Sequence, residues 1–134
     1  MHKQATVDAA KRSILRVHEL IHCIFTGEAE AAHAALQQLM PLFSEDFSMV
    51  ATSGQVVGLH QVEQAFARAA GSKPGLRMEV SDMEPVWQDG SHIAMRYRET
   101  HHLNGLSTVR CSVVLLHCAE QAVRWNYLHE TALA

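Results

Sequence analysis

The chain has 134 residues, of which 48% are hydrophobic and 19% charged, with a formal net charge of -3. This is the balance of a globular protein: no apolar run approaches the roughly 20 residues that span a bilayer, and without a basic bias nucleic acid is not an expected partner. Cys23, Cys111 and Cys118 are odd in number and lack CxxC spacing, so neither a disulfide framework nor a zinc ribbon is indicated. The opening residues run into an amphipathic pattern without the apolar core of a secretory signal, and cytoplasmic residence is the expectation.

From Val7 to Phe25 apolar residues recur at Val7, Ala10, Ile14, Val17, Ile21 and Ile24, the three-and-four spacing of a helix with one buried stripe. Thr26-Gly27 ends it. A second helix is predicted from Glu28 to Met40, closed by Pro41. Asp46 to Ala51 and Gln55 to Val57 read as two short strands turned by Ser53-Gly54, and a third helix is predicted from Leu59 to Ala70. After Gly75 the period changes from 3.6 to 2. Strands are predicted at Leu76 to Trp87, Ser91 to His102, Leu106 to Cys118 and Ala122 to Glu130, with turns at Asp89-Gly90, Asn104-Gly105 and Glu120-Gln121. With no repeat or linker, residues 1-134 read as one α+β domain, helices covering one face of a mostly antiparallel sheet.

The turns set the register. A two-residue turn at Asn104-Gly105 places Glu99 across from Arg110 and Tyr97 across from Ser112. A two-residue turn at Glu120-Gln121 then sets Leu116 against Trp125, Val114 against Tyr127 and Ser112 against His129. One face thus grades from apolar (Ile93, Leu116, Trp125, Met95) to polar (Tyr97, Ser112, His129, Glu99, Arg110), as a ligand cavity requires. The expected ligand-binding residues are Met95, Tyr97, Glu99, Arg110, Ser112, Trp125, Tyr127 and His129. The opposite face carries Ala94, Cys111, Val113, Leu115 and Leu128, and its apolar stripe leads us to expect a homodimer through the outer sheet face.

These landmarks carry a resemblance. The helix end Phe25-Thr26-Gly27-Glu28, the strand Asp46-Phe47-Ser48-Met49-Val50, Gly58 before the third helix and the ending from Trp125 to Thr131 resemble the nuclear transport factor 2-like superfamily, its SnoaL-like members in particular. The closing strand, and Ile93 to Tyr97 leading to Asn104-Gly105, are also similar to the association domain of calcium/calmodulin-dependent kinases. The resemblance implies a cone-shaped fold, three N-terminal helices on a strongly curved sheet, around a cavity. Its members include isomerases, dehydratases, cyclases, transport factors and assembly hubs, so the fold alone does not choose a function. Steroid isomerases of the superfamily place a tyrosine on the first helix, and this first helix has none.

His18-Glu19-Leu20-Ile21-His22 is a literal HExxH. In metalloproteases that spacing sets two imidazoles on one helix face to bind zinc. Here Glu28 stands where an extended motif has histidine, Phe25 where it has glycine, and 10 histidines with 10 glutamates produce such a match by composition alone about one time in twenty. No metal and no cofactor is expected. His101-His102, at a strand end, reads as a pair of surface histidines pointing to opposite faces. The leading expectation is a protein that binds a small, partly apolar molecule between helices and sheet. The alternatives are an isomerase, dehydratase or cyclase that needs no metal and uses Glu99 or His129 as base, and a dimeric scaffold domain.

Overall fold

The computed structural model describes residues 2–133, and within them three helices pack on one face of a curved six-stranded sheet. The elements are α1 (Lys3–Thr26), α2 (Ala29–Leu39), β1 (Phe43–Val50), β2 (Val56–Gly58), α3 (Leu59–Ala69), β3 (Arg77–Asp89), β4 (His92–Leu103), β5 (Leu106–Cys118) and β6 (Val123–Leu133), with a 3₁₀ turn at Met40–Leu42 between α2 and β1. This is the expected α+β cone. The first helix begins four residues before its predicted start, because the His2 ring accepts a bond from the Gln4 amide at 3.2 Å and caps the extra turn. The first strand also begins earlier, at Phe43, directly after the 3₁₀ turn.

The strand order is β2-β1-β6-β5-β4-β3, antiparallel throughout except where β1 lies parallel to β6. β3 is an edge strand whose pairing with β4 is interrupted twice, between Ser81 and Glu84 and between Pro85 and Trp87, and such bulges bend a strand. Asp82 takes φ 55° at the first interruption. The edge position suits Pro85, which has no N–H to give a second neighbour.

Between α1 and the sheet, Ile14, Val17, Ile24, Leu39, Ile93 and Leu116 are almost fully buried. Trp125 ties the layers together: its indole N–H donates to the Ser13 hydroxyl at 3.0 Å, and its ring meets Phe43 edge-on at 5.8 Å. The link from α1 to α2 is tight. A Cβ on Gly27 would lie 2.5 Å from the Cys23 carbonyl, so only glycine fits there. No helix is long and apolar enough to cross a membrane among the described residues.

The β4–β5 hairpin has the predicted register, Leu103 against Leu106, Glu99 against Arg110 and Tyr97 against Ser112. Asn104 at φ 53° and Gly105 at φ 78° form the turn that fixes it. The β5–β6 pair follows prediction only as far as Leu116 against Trp125. There a bulge places Tyr127, not Asn126, opposite Leu115, and every later partner moves by one: Leu128 faces Val114, His129 faces Val113 and Glu130 faces Ser112. Strand faces alternate, so the slip sends Tyr127 and His129 to the outer face and brings Leu128 and Glu130 inward.

Candidate functional site

A cavity of about 170 Å³ opens between the helices and the inner face of the sheet. Its apolar wall is built by Val17, Ile21 and Phe25 of α1, Phe43 and Phe47 of β1, and Val62 and Phe66 of α3. Trp125 and Leu128 continue the wall on β6, and Tyr97, Glu99, His101, Arg110, Glu130 and His18 supply the polar part. For scale, an apolar cavity of about 150 Å³ takes up benzene. The space suits a molecule with one ring or its equivalent.

Four of the eight residues expected to bind ligand, Tyr97, Glu99, Arg110 and Trp125, line this cavity. Met95 and Ser112 point the same way but lie beneath its surface, at 0% and 1% exposure. Tyr127 and His129 do not reach it. The Asn126 bulge puts them on the outer face, where the Tyr127 hydroxyl and His129 Nδ1 lie 2.9 Å apart, and His129 is thereby displaced as a base for cavity chemistry. Glu130 occupies the place that the unbroken register gave to His129.

The chemistry of the cavity centres on Glu99, which is 5% exposed and bonded at both carboxylate oxygens. His18 Nε2 approaches Oε1 at 2.9 Å, and His101 Nε2 makes a short bond to Oε2. His18 Nδ1 lies 2.7 Å from the Ile14 carbonyl, which can only accept, so Nδ1 carries a hydrogen. One proton is therefore shared between His18 Nε2 and Glu99. Burial raises the cost of ionising Glu99, but the bonds from His101 and His18 and the charge of Arg110 outweigh it and hold the carboxyl well below the usual carboxylate range. Glu99 is thus held as a carboxylate that accepts from both imidazoles. In the neutral ring His101 donates from Nε2 and keeps a lone pair at Nδ1.

Around this centre, Arg110 reaches Glu130 at 3.3 Å. Burial pushes the Glu130 carboxyl up; Arg110 opposes the shift, while nearby Glu99 adds to it. Burial, reinforced by the charges of Glu99 and Glu130, drives the Tyr97 phenol well above its ordinary value and keeps it protonated. Its hydroxyl is fully buried and neighbours Ser112 Oγ across the β4–β5 pair, and neither oxygen has another partner.

The HExxH residues serve this interior instead of converging on each other. Both ring nitrogens of His18 are engaged by Ile14 and Glu99, while His22 Nε2 faces the Leu76 carbonyl at 2.7 Å. Glu19 is exposed. His101, predicted as a surface residue, is 9% exposed and lines the cavity, whereas His102 points to the opposite face and bonds the Ser107 hydroxyl at 2.6 Å. Alternation from Tyr97 through Glu99 to His101 carried the signal for this placement.

A cone of three helices on a bent sheet, closed around a half-polar cavity, defines the nuclear transport factor 2-like class. Comparison with solved structures agrees. An NTF2-like protein of unknown function from Pseudomonas aeruginosa is 29% identical, with 94% of this chain matching 99% of that one at a TM-score of 0.84. A dehydratase candidate of the NTF2-like family from Streptomyces avermitilis superposes over 99% of both chains at 10% identity and a TM-score of 0.79. The CaMKII hub homology domain of Chlamydomonas reinhardtii matches 94% of this chain and 99% of its own at 15% identity and 0.69. No protein-family model and no curated relative matches the chain. The chain has the nuclear transport factor 2-like fold, the fold of the superfamily its sequence resembles.

Proposed function

We propose that this protein, of the SnoaL-like type, binds a small, partly apolar molecule in the cavity between helices and sheet. The observation that carries this reading is the cavity of about 170 Å³ itself, with a wall built largely of aromatic and aliphatic side chains and a polar part made by Glu99, His101, Arg110 and Glu130. Apolar walls supply affinity, and a few convergent polar groups fix orientation. The test is a thermal-shift and calorimetric screen of single-ring compounds against the wild type and Phe66→Trp, whose larger side chain fills the space. Binding that is lost in Phe66→Trp supports the reading; equal binding by both proteins refutes it.

A second reading, proton-transfer chemistry by side chains alone, is favoured by the His18–Glu99–His101 chain. Glu99 has both oxygens occupied and so acts as the orienting partner, leaving His101 Nδ1 as the base and the Arg110 guanidinium as the counter-charge to a developing oxyanion. The dehydratase candidate from Streptomyces is consistent with such chemistry. Turnover lost in both His101→Gln and Glu99→Gln, with ligand affinity retained, would support catalysis.

We also propose a cytoplasmic homodimer formed through the outer sheet face. Leu115 is 40% exposed there, beside Val113 and Tyr127. The three cysteines are unpaired, as suits a reducing compartment.

A further inference from the structure

Lys73 stands at the cavity on a turn fixed to the end of α1. The turn after α3 is stitched to the end of α1 by two backbone bonds, Gly71 N–H to the Ile24 carbonyl at 2.8 Å and Lys73 N–H to the Phe25 carbonyl at 2.9 Å. The side chain folds back so that its ammonium stands 4.5 Å from the centroid of the Phe25 ring. Phe25 in turn packs against Phe66 at 6.0 Å, and all three side chains line the cavity. A cation set on an aromatic face is pre-positioned at little further entropic cost.

The hydrogen-bonding account of the cavity is unbalanced in one direction. Both oxygens of Glu99 are taken by imidazoles, and the Glu130 carboxylate is taken by Arg110. Among the described residues no carboxylate pairs with the Lys73 ammonium. The cavity thus keeps one positively charged donor without a counter-charge. An apolar wall does not discriminate by charge, but an anion can leave water for such a wall only where a cation meets it.

We infer that the molecule held in this cavity is an anion, a carboxylate-bearing compound with a body about one ring in size, its carboxylate on Lys73 and its ring against Phe25 and Phe66. The inference rests on the cavity-binding reading above and adds the charge of the ligand to it. A solvated lysine lying over a phenylalanine for cover alone would make no such selection.

Benzoate and benzamide are suitable probes, because they share ring and shape and differ in charge. Binding is read from the indole N–H signal of Trp125, a cavity-wall residue, in nitrogen-15 NMR titrations, with Trp87→Phe identifying the signal. The expected result is that benzoate binds about tenfold more tightly than benzamide, that Lys73→Met brings the two affinities to within about twofold of each other, and that Lys73→Arg retains the preference. Benzamide binding as well as benzoate, or benzoate indifferent to Lys73→Met, overturns the inference while the cavity reading stands. If neither probe moves the Trp125 signal at millimolar concentration, both fall together.

Discussion

His18 Nε2 lies 2.9 Å from Glu99 Oε1, although 81 residues separate them in the chain. The contact fastens the middle of α1 to the inner face of β4, and it is built from two side chains that are each about 6% exposed. Such a pair stabilises only when its remaining polar atoms are also satisfied. Here they are, by Ile14 on one side and His101 on the other. The same bonds that hold the helix to the sheet set the tautomer of the cavity histidines, so packing and candidate chemistry share their residues.

Removing Glu99 should therefore be costly in proportion to what replaces it. Glu99→Leu leaves two buried imidazoles without an acceptor and should destabilise by about 3–5 kcal/mol. Glu99→Gln keeps one carbonyl acceptor and should cost less, about 1–3 kcal/mol. Urea denaturation of the two variants checks the order, and a Glu99→Leu protein as stable as Glu99→Gln would contradict the assigned network.

The acid limb of the stability curve should carry the signature of the same carboxylate. The folded-state pKa of Glu99 is depressed, so its contribution is present above the unfolded carboxylate value of about 4.3 and is lost as pH falls below it. Glu130 has the opposite sign: its raised pKa gives a contribution present below about 4.3 and lost as pH rises through the folded value. Glu99→Gln should flatten the loss below pH of about 4, and Glu130→Gln should raise the melting temperature near neutral pH relative to wild type. Melting temperatures measured from acid to neutral pH decide both.

Much of this arrangement was legible in the sequence, and the failures have one physical source. Asn104-Gly105 sets the β4–β5 register because both residues adopt positive φ, so Tyr97, Glu99 and Arg110 could be placed on one face before any coordinates. Nothing comparable announces the bulge at Asn126, since an inserted residue leaves the alternation of Trp125, Tyr127 and His129 intact in the sequence while reversing it in the sheet. Glu130 was missed for that reason. His18 stood out only as part of the HExxH spelling, and its partner lies on a distant strand that only the packed structure brings to it.

Tyr97→Phe should show what the two buried hydroxyls of the β4–β5 pair do for each other. Tyr97 and Ser112 lie opposite one another, and neither hydroxyl has another partner. Removing the phenol oxygen leaves Ser112 Oγ alone, so the variant should lose about 1 kcal/mol of stability. Urea denaturation measures this, and a Tyr97→Phe protein more stable than wild type would show that the two hydroxyls do not support each other.

The outer face offers the last prediction. The bulge that takes Tyr127 and His129 out of the cavity places them beside Val113 and Leu115, on a sheet surface that the helices do not cover. Leu115 is 40% exposed at its centre. A self-complementary patch of this kind is stabilised by pairing about a two-fold axis, and a charge placed at its centre must then meet its own copy. Light scattering coupled to gel filtration should find a dimer at micromolar concentration and a monomer for Leu115→Glu, while His129→Ala should leave binding in the cavity unchanged. A wild-type monomer under those conditions would leave the outer face without the partner proposed for it.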